Sequence, residues 1–324
     1  MSKTLLSGIQ PTGRPHIGNY FGAMKQFVDL AEKYDSYIFI AEYHALTTIH
    51  DREQLRTNIF DLIADYLAIG LDPEEITLYR QSAVPEVTEL TWIFNTLITV
   101  PFLERAHAYK DKVAKGIEPT MGLFNYPVLM AADILLVDAD VVPVGEDQRQ
   151  HVEIAREIAR KFNHQFGETF KEPQELIQDT VAVVPGIDGQ KMSKSYNNDI
   201  PLFASDEELE KAVMSIVTDS AAVEEEKDPE KDNVFALHKL FTSEGELEKV
   251  REGYEKGGLS YGESKKILLG NMKEFITPLR ARREEIISDR DYVLGVLEEG
   301  GKKARAIAEK KLADVREKVG LTLS

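Results

Sequence analysis

The sequence contains no cysteine among its 324 residues. Disulfide bonds, thiolate metal sites, iron–sulfur clusters and cysteine nucleophiles are therefore excluded, and any chemistry must use oxygen and nitrogen groups. Long hydrophobic runs are also missing, because no segment approaches the roughly 18 apolar residues that span a bilayer. The first eight residues carry too short an apolar stretch for a signal peptide. We therefore expect a cytoplasmic protein that does not associate with membranes.

Positive charge is in deficit, since 39 Lys and Arg residues against 56 Asp and Glu residues give a formal net charge of −17. That balance disfavours indiscriminate binding to nucleic acid or anionic membranes, although it leaves room for a local basic strip. The length suggests two domains, at roughly 100–200 residues per domain. A composition of 43% hydrophobic and 29% charged residues is typical of a globular protein.

The first part of the chain alternates between strand-like and helical patterns. Strands are predicted at Thr4–Ile9, Ser36–Ala41 and Ile76–Tyr79, and helices at Ile17–Lys33 and from Asp51 to Gly70. This β-α-β-α-β alternation predicts the α/β class, with a Rossmann-like, doubly wound parallel sheet whose ligand crevice lies at the carboxyl ends of the strands.

The rest of the chain is mainly helical. Further helices are predicted at Pro85–Ala114, Tyr126–Leu136 and Gln148–Phe162, around one short buried strand at Val141–Val144. From about Pro201 the pattern is helical, with breaks expected at Gly257–Gly258, Pro278 and Gly300–Gly301. We interpret residues 1–200 as a Rossmann-type domain and residues 201–324 as an all-helical domain whose terminal helix packs back on the first.

The segment Pro15-His16-Ile17-Gly18-Asn19 lies where the first strand turns into the first helix. Backbone N–H groups and the positive helix end suit a polyphosphate there, and Gly18 would let a flat base approach the backbone. His16 and Asn19 share one face of the first helical turn and could both donate to phosphate oxygens. By itself, the segment also fits a plain structural turn.

A second segment, Lys191-Met192-Ser193-Lys194-Ser195, is entered from a loop that contains Gly186 and Gly189. Its two ammonium groups could swing onto a triphosphate and neutralise the charge that develops on departing pyrophosphate. Composition alone favours a solvated basic loop, whereas this specific string favours phosphate binding.

Together, the HIGN string at 16–19 and the KMSKS string at 191–195 resemble the two signatures of class I aminoacyl-tRNA synthetases. The strings SGIQPTG at 7–13, MAADIL at 130–135 and GEDQ at 145–148 are similar to those of bacterial-type tryptophanyl-tRNA synthetases in particular. The resemblance covers about residues 4–200. The first signature is often written with two histidines, but Asn19 stands second here, as is usual for tryptophan enzymes, and His16 stands where many bacterial members have threonine.

The resemblance implies a tryptophan–tRNA ligase. Such an enzyme activates L-tryptophan with ATP to tryptophanyl-adenylate plus pyrophosphate, and then transfers tryptophan to the 3′-terminal ribose of tRNA(Trp). The carboxylate of the amino acid attacks the α-phosphate, so the protein supplies position and charge rather than a nucleophile. Mg²⁺ is expected to be held mainly by the ATP phosphates, with no protein metal site. The catalytic residues implied are His16, Asn19, Lys191 and Lys194.

A tryptophan pocket needs a buried acceptor, because an indole N–H can only donate. Asp133 is a carboxylate inside the apolar segment Val128–Val137. It could be an aspartate at a helix end or an interface, but the resemblance favours the indole acceptor. Tyr126 and Gln148 have polar ends suited to the substrate's amino group. The residues expected to line the ring are Met130, Val142, Val144 and Leu6, the last at a position where an aromatic residue is expected.

ATP is expected at the carboxyl ends of the strands. Gly145, Glu146 and Asp147 would meet the ribose, because an acidic side chain can accept hydrogen bonds from its hydroxyls. The backbone near Val183 would touch adenine. The full set implied for ATP is Gln10, Pro11, Thr12, His16, Gly18, Asn19, Gly145, Glu146, Asp147, Val183, Lys191, Met192, Ser193, Lys194 and Ser195.

Partners beyond the small substrates are implied as well. Three basic clusters, Lys265–Lys266, Arg280–Arg283 and Lys302–Arg305, are candidates for contact with tRNA, although charge runs are usually solvated helix faces. The resemblance implies that residues 201–324 bind the anticodon region and that the protein is a homodimer, with the Trp92–Leu103 segment contributing apolar surface. The cysteine-ligated iron–sulfur cluster of some relatives is excluded.

Three other functions stay open at this point. A tyrosyl-specific relative would need acceptors for a phenol, and the MAAD and GEDQ strings disfavour it. A nucleotidyltransferase that shares only the HIGN turn is disfavoured by the KMSKS string and the long helical tail. A non-catalytic RNA-binding paralogue is disfavoured by the presence of His16, Asp133, Lys191 and Lys194.

Overall fold

A computed structural model describes residues 2–31, 33–105, 120–145, 148–177 and 184–323. In this part of the chain, five parallel strands form one sheet in the order β3-β2-β1-β4-β5. The strands are β1 (Thr4–Ile9), β2 (Asp35–Ile40), β3 (Thr77–Arg80), β4 (Val141–Val144) and β5 (Gln174–Ile177). The four predicted strands are confirmed to within one residue. Strand β5 was not predicted, because it is an edge strand of half-exposed residues with no buried apolar run.

Helices cover both faces of this sheet, as the α/β pattern predicts. The first predicted helix is divided into α1 (Ile17–Asn19), a π-helical turn (Tyr20–Met24) and α2 (Lys25–Ala31). None of the helices in the described ranges is both long and apolar enough to cross a membrane. The other helices up to β5 are α3 (Glu42–Ala45), α4 (Arg52–Ala68), α5 (Glu86–Asn95), α6 (Val100–Leu103), α7 (Met121–Leu136) and α8 (Arg149–Phe166).

In the described residues after β5, the structure has five α-helices. They are α9 (Asp206–Met214), α10 (Asn233–Phe241), α11 (Glu244–Glu255), α12 (Tyr261–Ser288) and α13 (Arg290–Lys318). A capping box begins α9, because the Ser205 side chain accepts from the Glu208 N–H while the Glu208 side chain accepts from the Ser205 N–H. Such reciprocal bonds satisfy two backbone donors that the first turn would otherwise leave unpaired.

Alternate residues of the central strands face two different hydrophobic cores. Tyr37 and Phe39 of β2 point into the first core, with α5, α7 and α8. Ile38 and Ile40 point into the second core, with α2, α4, α9, α10 and α12. Because successive strand side chains face opposite sides of a sheet, one strand supplies both cores. Helix α13 belongs to both, since Val293 and Leu297 lie in the second core and Ala304 to Val315 in the first.

Two of the predicted helix breaks are wrong. Pro278 lies inside α12, where it and Glu274 are exposed, so the carbonyl that the proline leaves unpaired faces solvent while Met272 and Ile276 stay buried. Gly300 and Gly301 lie inside α13, where a glycine lets two backbones come close. A Cβ added at Gly300 would lie 1.9 Å from the Leu78 carbonyl oxygen of β3. The predicted break at Gly257–Gly258 is confirmed, since α11 has ended and α12 has not begun.

Replacing Gly300 with Ala should destabilise the protein by about 1–3 kcal/mol or more, because the new Cβ overlaps backbone that cannot move aside cheaply. Gly295→Ala is the matched control, since it lies in the same helix with no heavy atom within 4 Å of the added Cβ. That change should be neutral or stabilising by up to about 1 kcal/mol, as helix propensity predicts. Calorimetric melting of both variants tests the packing, and equal melting temperatures would contradict it.

Candidate active site

The turn after β1 is held by a reciprocal pair of hydrogen bonds between His16 and Asn19. The Asn19 backbone N–H donates to His16 Nδ1 at 3.1 Å, and the His16 backbone N–H donates to Asn19 Oδ1 at 3.1 Å. Since both donors are backbone groups, the acceptor atoms are fixed. In the neutral ring the proton is therefore on His16 Nε2, and the Asn19 amide presents Nδ2 as a donor.

Burial reinforces this state of the imidazole. His16 is buried, and burial is the main cause that lowers its pKa below 6.5, with the nearby Lys194 ammonium acting in the same direction and Asp199 opposing. The neutral ring is also the form that can accept the Asn19 N–H. The turn thus leaves two side-chain N–H donors, His16 Nε2 and Asn19 Nδ2, for an anion.

The second motif lies directly against the first. The Ile17 N–H donates to the Ile200 carbonyl at 3.0 Å, and the Leu202 N–H donates to the Pro15 carbonyl at 2.9 Å, so the segment after the lysine loop pairs antiparallel with the turn. Buried Met192 lies over Gly18, where an added Cβ would come within 3.3 Å of the methionine Cβ. The structure therefore brings together two motifs that lie more than 170 residues apart in the sequence.

Lys194 reaches across to the loop that follows β1. Its Nζ donates to the Thr12 carbonyl at 3.2 Å, and burial lowers its pKa, with the carboxylates of Asp199 and Asp65 opposing. The adjoining Pro11 carbonyl accepts from Asn58 Nδ2 at 3.0 Å, which fastens that loop to α4. Lys191 is exposed beside it. An ammonium, an imidazole N–H and an amide N–H thus lie on adjoining segments, and this donor set suits phosphate oxygens.

Asp133 is buried in α7 and is surrounded by donors. His44 Nε2 lies 3.0 Å from Oδ2, and Gln81 Nε2 lies 2.9 Å from each carboxylate oxygen. Burial raises the Asp133 pKa, and the hydrogen bonds from His44 and Gln81 act against that rise. A carboxylate has about four acceptor positions. Oδ1, with one partner among these contacts, therefore retains capacity for a further donor.

His44 and Gln81 are site residues that the sequence reasoning missed. His44 follows β2 and Gln81 follows β3, so each lies at the carboxyl end of a parallel strand. Polar side chains at such ends were the available signal, because ligand crevices of open α/β sheets lie there. The Gln81 side-chain oxygen accepts from the Tyr43 N–H at 3.0 Å, which fixes the direction of the amide and aims Nε2 at Asp133.

The other predicted tryptophan residues lie around Asp133 or nearby. Tyr126 and Met130 precede it by seven and three residues on α7, on one helical face. The Tyr126 hydroxyl is 2.7 Å from His151 Nε2, and its ring packs edge-on against His44. Gln148 is exposed at the first turn of α8. Three predicted ring-lining residues are buried in the first core, namely Leu6, Val142 and Val144.

The remaining predicted ATP residues divide into two groups. Gln10, Thr12 and Gly145 are exposed at the carboxyl ends of β1 and β4, while Ser193 and Ser195 lie in the lysine loop. Glu146, Asp147 and Val183 lie outside the described residues. In the described ranges, no group of three or more His, Asp or Glu side chains is arranged to hold a metal ion.

Comparison with known proteins agrees with this geometry. The model of the family "tRNA synthetases class I (W and Y)" matches residues 2–277, and the chain belongs to that family. The tryptophan–tRNA ligases of Fusobacterium nucleatum subsp. nucleatum and Rhodopirellula baltica are 53% and 51% identical to it, covering 98% of the chain in each case and 98% and 99% of those proteins. The family match thus extends beyond residue 200, where the sequence reasoning placed its limit.

A solved structure gives the same result at the level of the fold. The crystal structure of tryptophanyl-tRNA synthetase from Campylobacter jejuni, complexed with ADP and tryptophan, superposes with a TM-score of 0.93 at 48% identity. That comparison covers 98% of this chain and 99% of the other. The Rossmann-like fold with a helical C-terminal region is therefore confirmed.

The His16 imidazole should titrate below 6.5 and exist as the Nε2–H tautomer at neutral pH. Because its folded pKa is lowered, its contribution to stability is present above the unfolded value of 6.5 and is lost as the pH falls through the folded value. Nitrogen-15 NMR of the histidines, assigned with a His16→Gln variant, measures the pKa and the tautomer of His16. A proton on Nδ1 at pH 7 would contradict the assigned geometry.

Proposed function

We propose that the crevice between the HIGN turn, the lysine loop and Asp133 activates tryptophan with ATP. The chain is a tryptophan–tRNA ligase, with ATP and tRNA as its other substrates. The observation that carries the site assignment is the contact between the two motifs: Met192 lies against Gly18, while Lys194 reaches Thr12 at the carboxyl end of β1. Tryptophan and ATP can meet at this edge, because His44 and Gln81, which hold Asp133, follow β2 and β3, beside β1 in the sheet.

Tryptophan is selected by a carboxylate that already has two donors as neighbours. With its indole N–H on Asp133, the substrate would complete the hydrogen bonding of a buried anion that is fixed by His44 and Gln81. A phenylalanine ring offers no donor and would gain nothing from that oxygen, and sites built to hydrogen-bond a substrate group discriminate strongly against analogues that lack it. Tyr126 and Gln148 take the substrate's amino group, and Met130 lies along the ring.

The triphosphate lies against the donors of the two motifs. His16 Nε2–H and Asn19 Nδ2–H bind phosphate oxygens, while Lys191 and Lys194 neutralise charge on the β- and γ-phosphates. When the tryptophan carboxylate oxygen bonds to the α-phosphorus, the bond to the bridging oxygen breaks and its electron pair leaves with pyrophosphate. Charge therefore grows where the two lysines are, and fixed charges placed there stabilise the transition state. Mg²⁺ arrives on the ATP phosphates as part of the substrate, and the reaction takes place in the cytoplasm.

Transfer to tRNA uses the helical half of the chain, residues 201–324, with residues 1–200 as the catalytic domain. The candidate basic clusters are not equally free for RNA. Lys265 donates to the Met214 and Ile216 carbonyls, Arg280 pairs with Asp206, and Arg283 pairs with Asp61 and Asp65. We therefore assign tRNA contact to the exposed neighbours Lys266, Arg282 and Lys303, since Lys302 is itself paired with Glu298 and Glu299.

The protein acts as a homodimer. Large apolar side chains are exposed on three adjoining helices: Trp92 on α5 is 70% exposed, Val100 on α6 is 59% exposed and Met121 on α7 is 76% exposed. Helices α5 and α6 both pack against α7, so these side chains belong to neighbouring helices of the catalytic domain. A second copy of the chain would remove this apolar surface from water.

Asp133→Ala should raise the KM for tryptophan about 10- to 100-fold, the scale of a hydrogen bond to a charged group, while the KM for ATP changes little. ATP–pyrophosphate exchange with tryptophan, with tyrosine and without amino acid measures this split and tests the specificity. Asp133→Asn, which keeps one acceptor oxygen, is the graded control. An equal loss of tryptophan and ATP use would make Asp133 a structural residue, and exchange driven by tyrosine would refute the function.

Trp92→Glu should convert the dimer into a monomer of 36.5 kDa in sedimentation velocity at micromolar concentration, because a charge in an apolar interface loses its hydration. Leu321→Glu is the control, since it places the same charge on an exposed terminal residue. Trp92 is the single tryptophan, so its fluorescence also reports association. A monomeric parent protein would remove the proposal.

A further inference from the structure

The lysine loop is closed by the side chain of Asn198, a residue that follows the KMSKS string and is only 1% exposed. Its Oδ1 accepts from the Ser193 N–H at 2.8 Å. Its Nδ2 donates to the Lys191 carbonyl at 3.2 Å and to Asp188 Oδ1 at 2.7 Å. One amide therefore holds the backbone on both sides of Met192 and joins it to the start of the loop.

The surroundings leave this side chain little freedom. A Cβ added at Gly186 would lie 2.4 Å from Asn198 Cγ, so the glycine makes room for the amide. Asn197 has a φ of 51°, a left-handed conformation that turns the chain back toward the loop. Asp188 Oδ1 also accepts from the Gln190 N–H at 3.0 Å, so it is itself fixed. The glycines of this loop thus serve close packing rather than free movement.

The loop is fastened to the helical half as well. The Val217 N–H donates to the Ile187 carbonyl at 2.7 Å, and a Cβ at Gly189 would lie 2.6 Å from Asn233 Nδ2 on α10. After the segment that Asn198 holds, Lys194–Tyr196 form a single 3₁₀ turn, and the Lys194 side chain extends to the Thr12 carbonyl. The direction of the Lys194 side chain therefore depends on backbone that Asn198 and Asp188 hold.

We propose that Asn198, paired with Asp188, is a positioning residue for adenylate formation: it keeps Lys191 and Lys194 directed at the phosphates. This inference rests on the proposed function of the two lysines. Neither Asn198 nor Asp188 touches a reacting atom. Asn198 and Asp188 set the fraction of protein molecules in which the two ammonium groups face the phosphates. A change in this fraction alters the rate of the chemical step rather than tryptophan binding.

Single-turnover adenylate formation at saturating ATP and Mg²⁺ tests the proposal in the full-length protein. Asn198→Ala should slow the step about 10- to 100-fold, the scale of two or three lost hydrogen bonds, with the burst amplitude retained and the KM for tryptophan within about twofold. Asn197→Gly is the matched control, because it removes the neighbouring amide while glycine accepts the left-handed conformation. This control should react at close to the parent rate.

Two double variants identify the route of the effect. If Asn198 acts through Lys194, the combination of Asn198→Ala with Lys194→Gln should be little slower than Lys194→Gln alone. Asn198→Asp should be slow because two carboxylates then meet, and adding Asp188→Asn should recover part of the rate, since the new amide can donate to the new carboxylate.

Several results would overturn the inference. These are a parent-like rate in Asn198→Ala, a lowered burst amplitude at an unchanged rate, full additivity with Lys194→Gln, or no recovery in the exchanged pair. None of them resembles failure of the proposed function, in which the parent protein itself would form no tryptophanyl-adenylate.

Discussion

The site depends on the backbone pairing between Pro15–Ile17 and Ile200–Leu202. Two hydrogen bonds of 3.0 and 2.9 Å join the HIGN turn to the segment that follows the lysine loop. The pairing also buries Ile17 and Ile200 in the second core, beside residues of α4, α9 and α12. A shift of the lysine loop at this point would therefore open a hydrophobic core, which is costly. For that reason, the donor groups of the two motifs are held in fixed positions relative to each other.

Helix α12 of the helical half packs against elements of the first 200 residues that adjoin the HIGN turn. Arg283 of α12 pairs with Asp61 and Asp65 of α4, and burial raises the pKa of Asp65 to about 6 in spite of the arginine. Loss of either partner would leave a poorly solvated charge in the protein. Rings of Tyr20 and Phe21, directly after the HIGN turn, pack against Phe275 of α12. The contacts of one long helix thus reach α4 and the two residues that directly follow the HIGN turn.

The sequence predicted the parts of the molecule that are marked by a pattern of neighbouring residues. Alternation of strands and helices predicted four strands of the sheet, and the two motif strings predicted which loops meet. Residues whose role comes from distant neighbours could not be found in this way. His44 and Gln81 are ordinary polar residues in sequence, and only contacts with a residue 89 and 52 positions away direct them at Asp133. Gly300 was misread because glycine breaks isolated helices, whereas here close contact with β3 decides.

Helix α13 packs against β3, which is an edge strand of the sheet in the part of the chain that the structure describes. Unpaired strand edges promote association with other chains, and covering them is one way in which proteins prevent it. The covering helix is synthesised more than 200 residues after the strand. At ~5–20 residues per second on the ribosome, about 10–40 s would pass between the synthesis of β3 and the synthesis of α13. The strand therefore gains the helix that packs on it in the folded protein only when synthesis of α13 is complete.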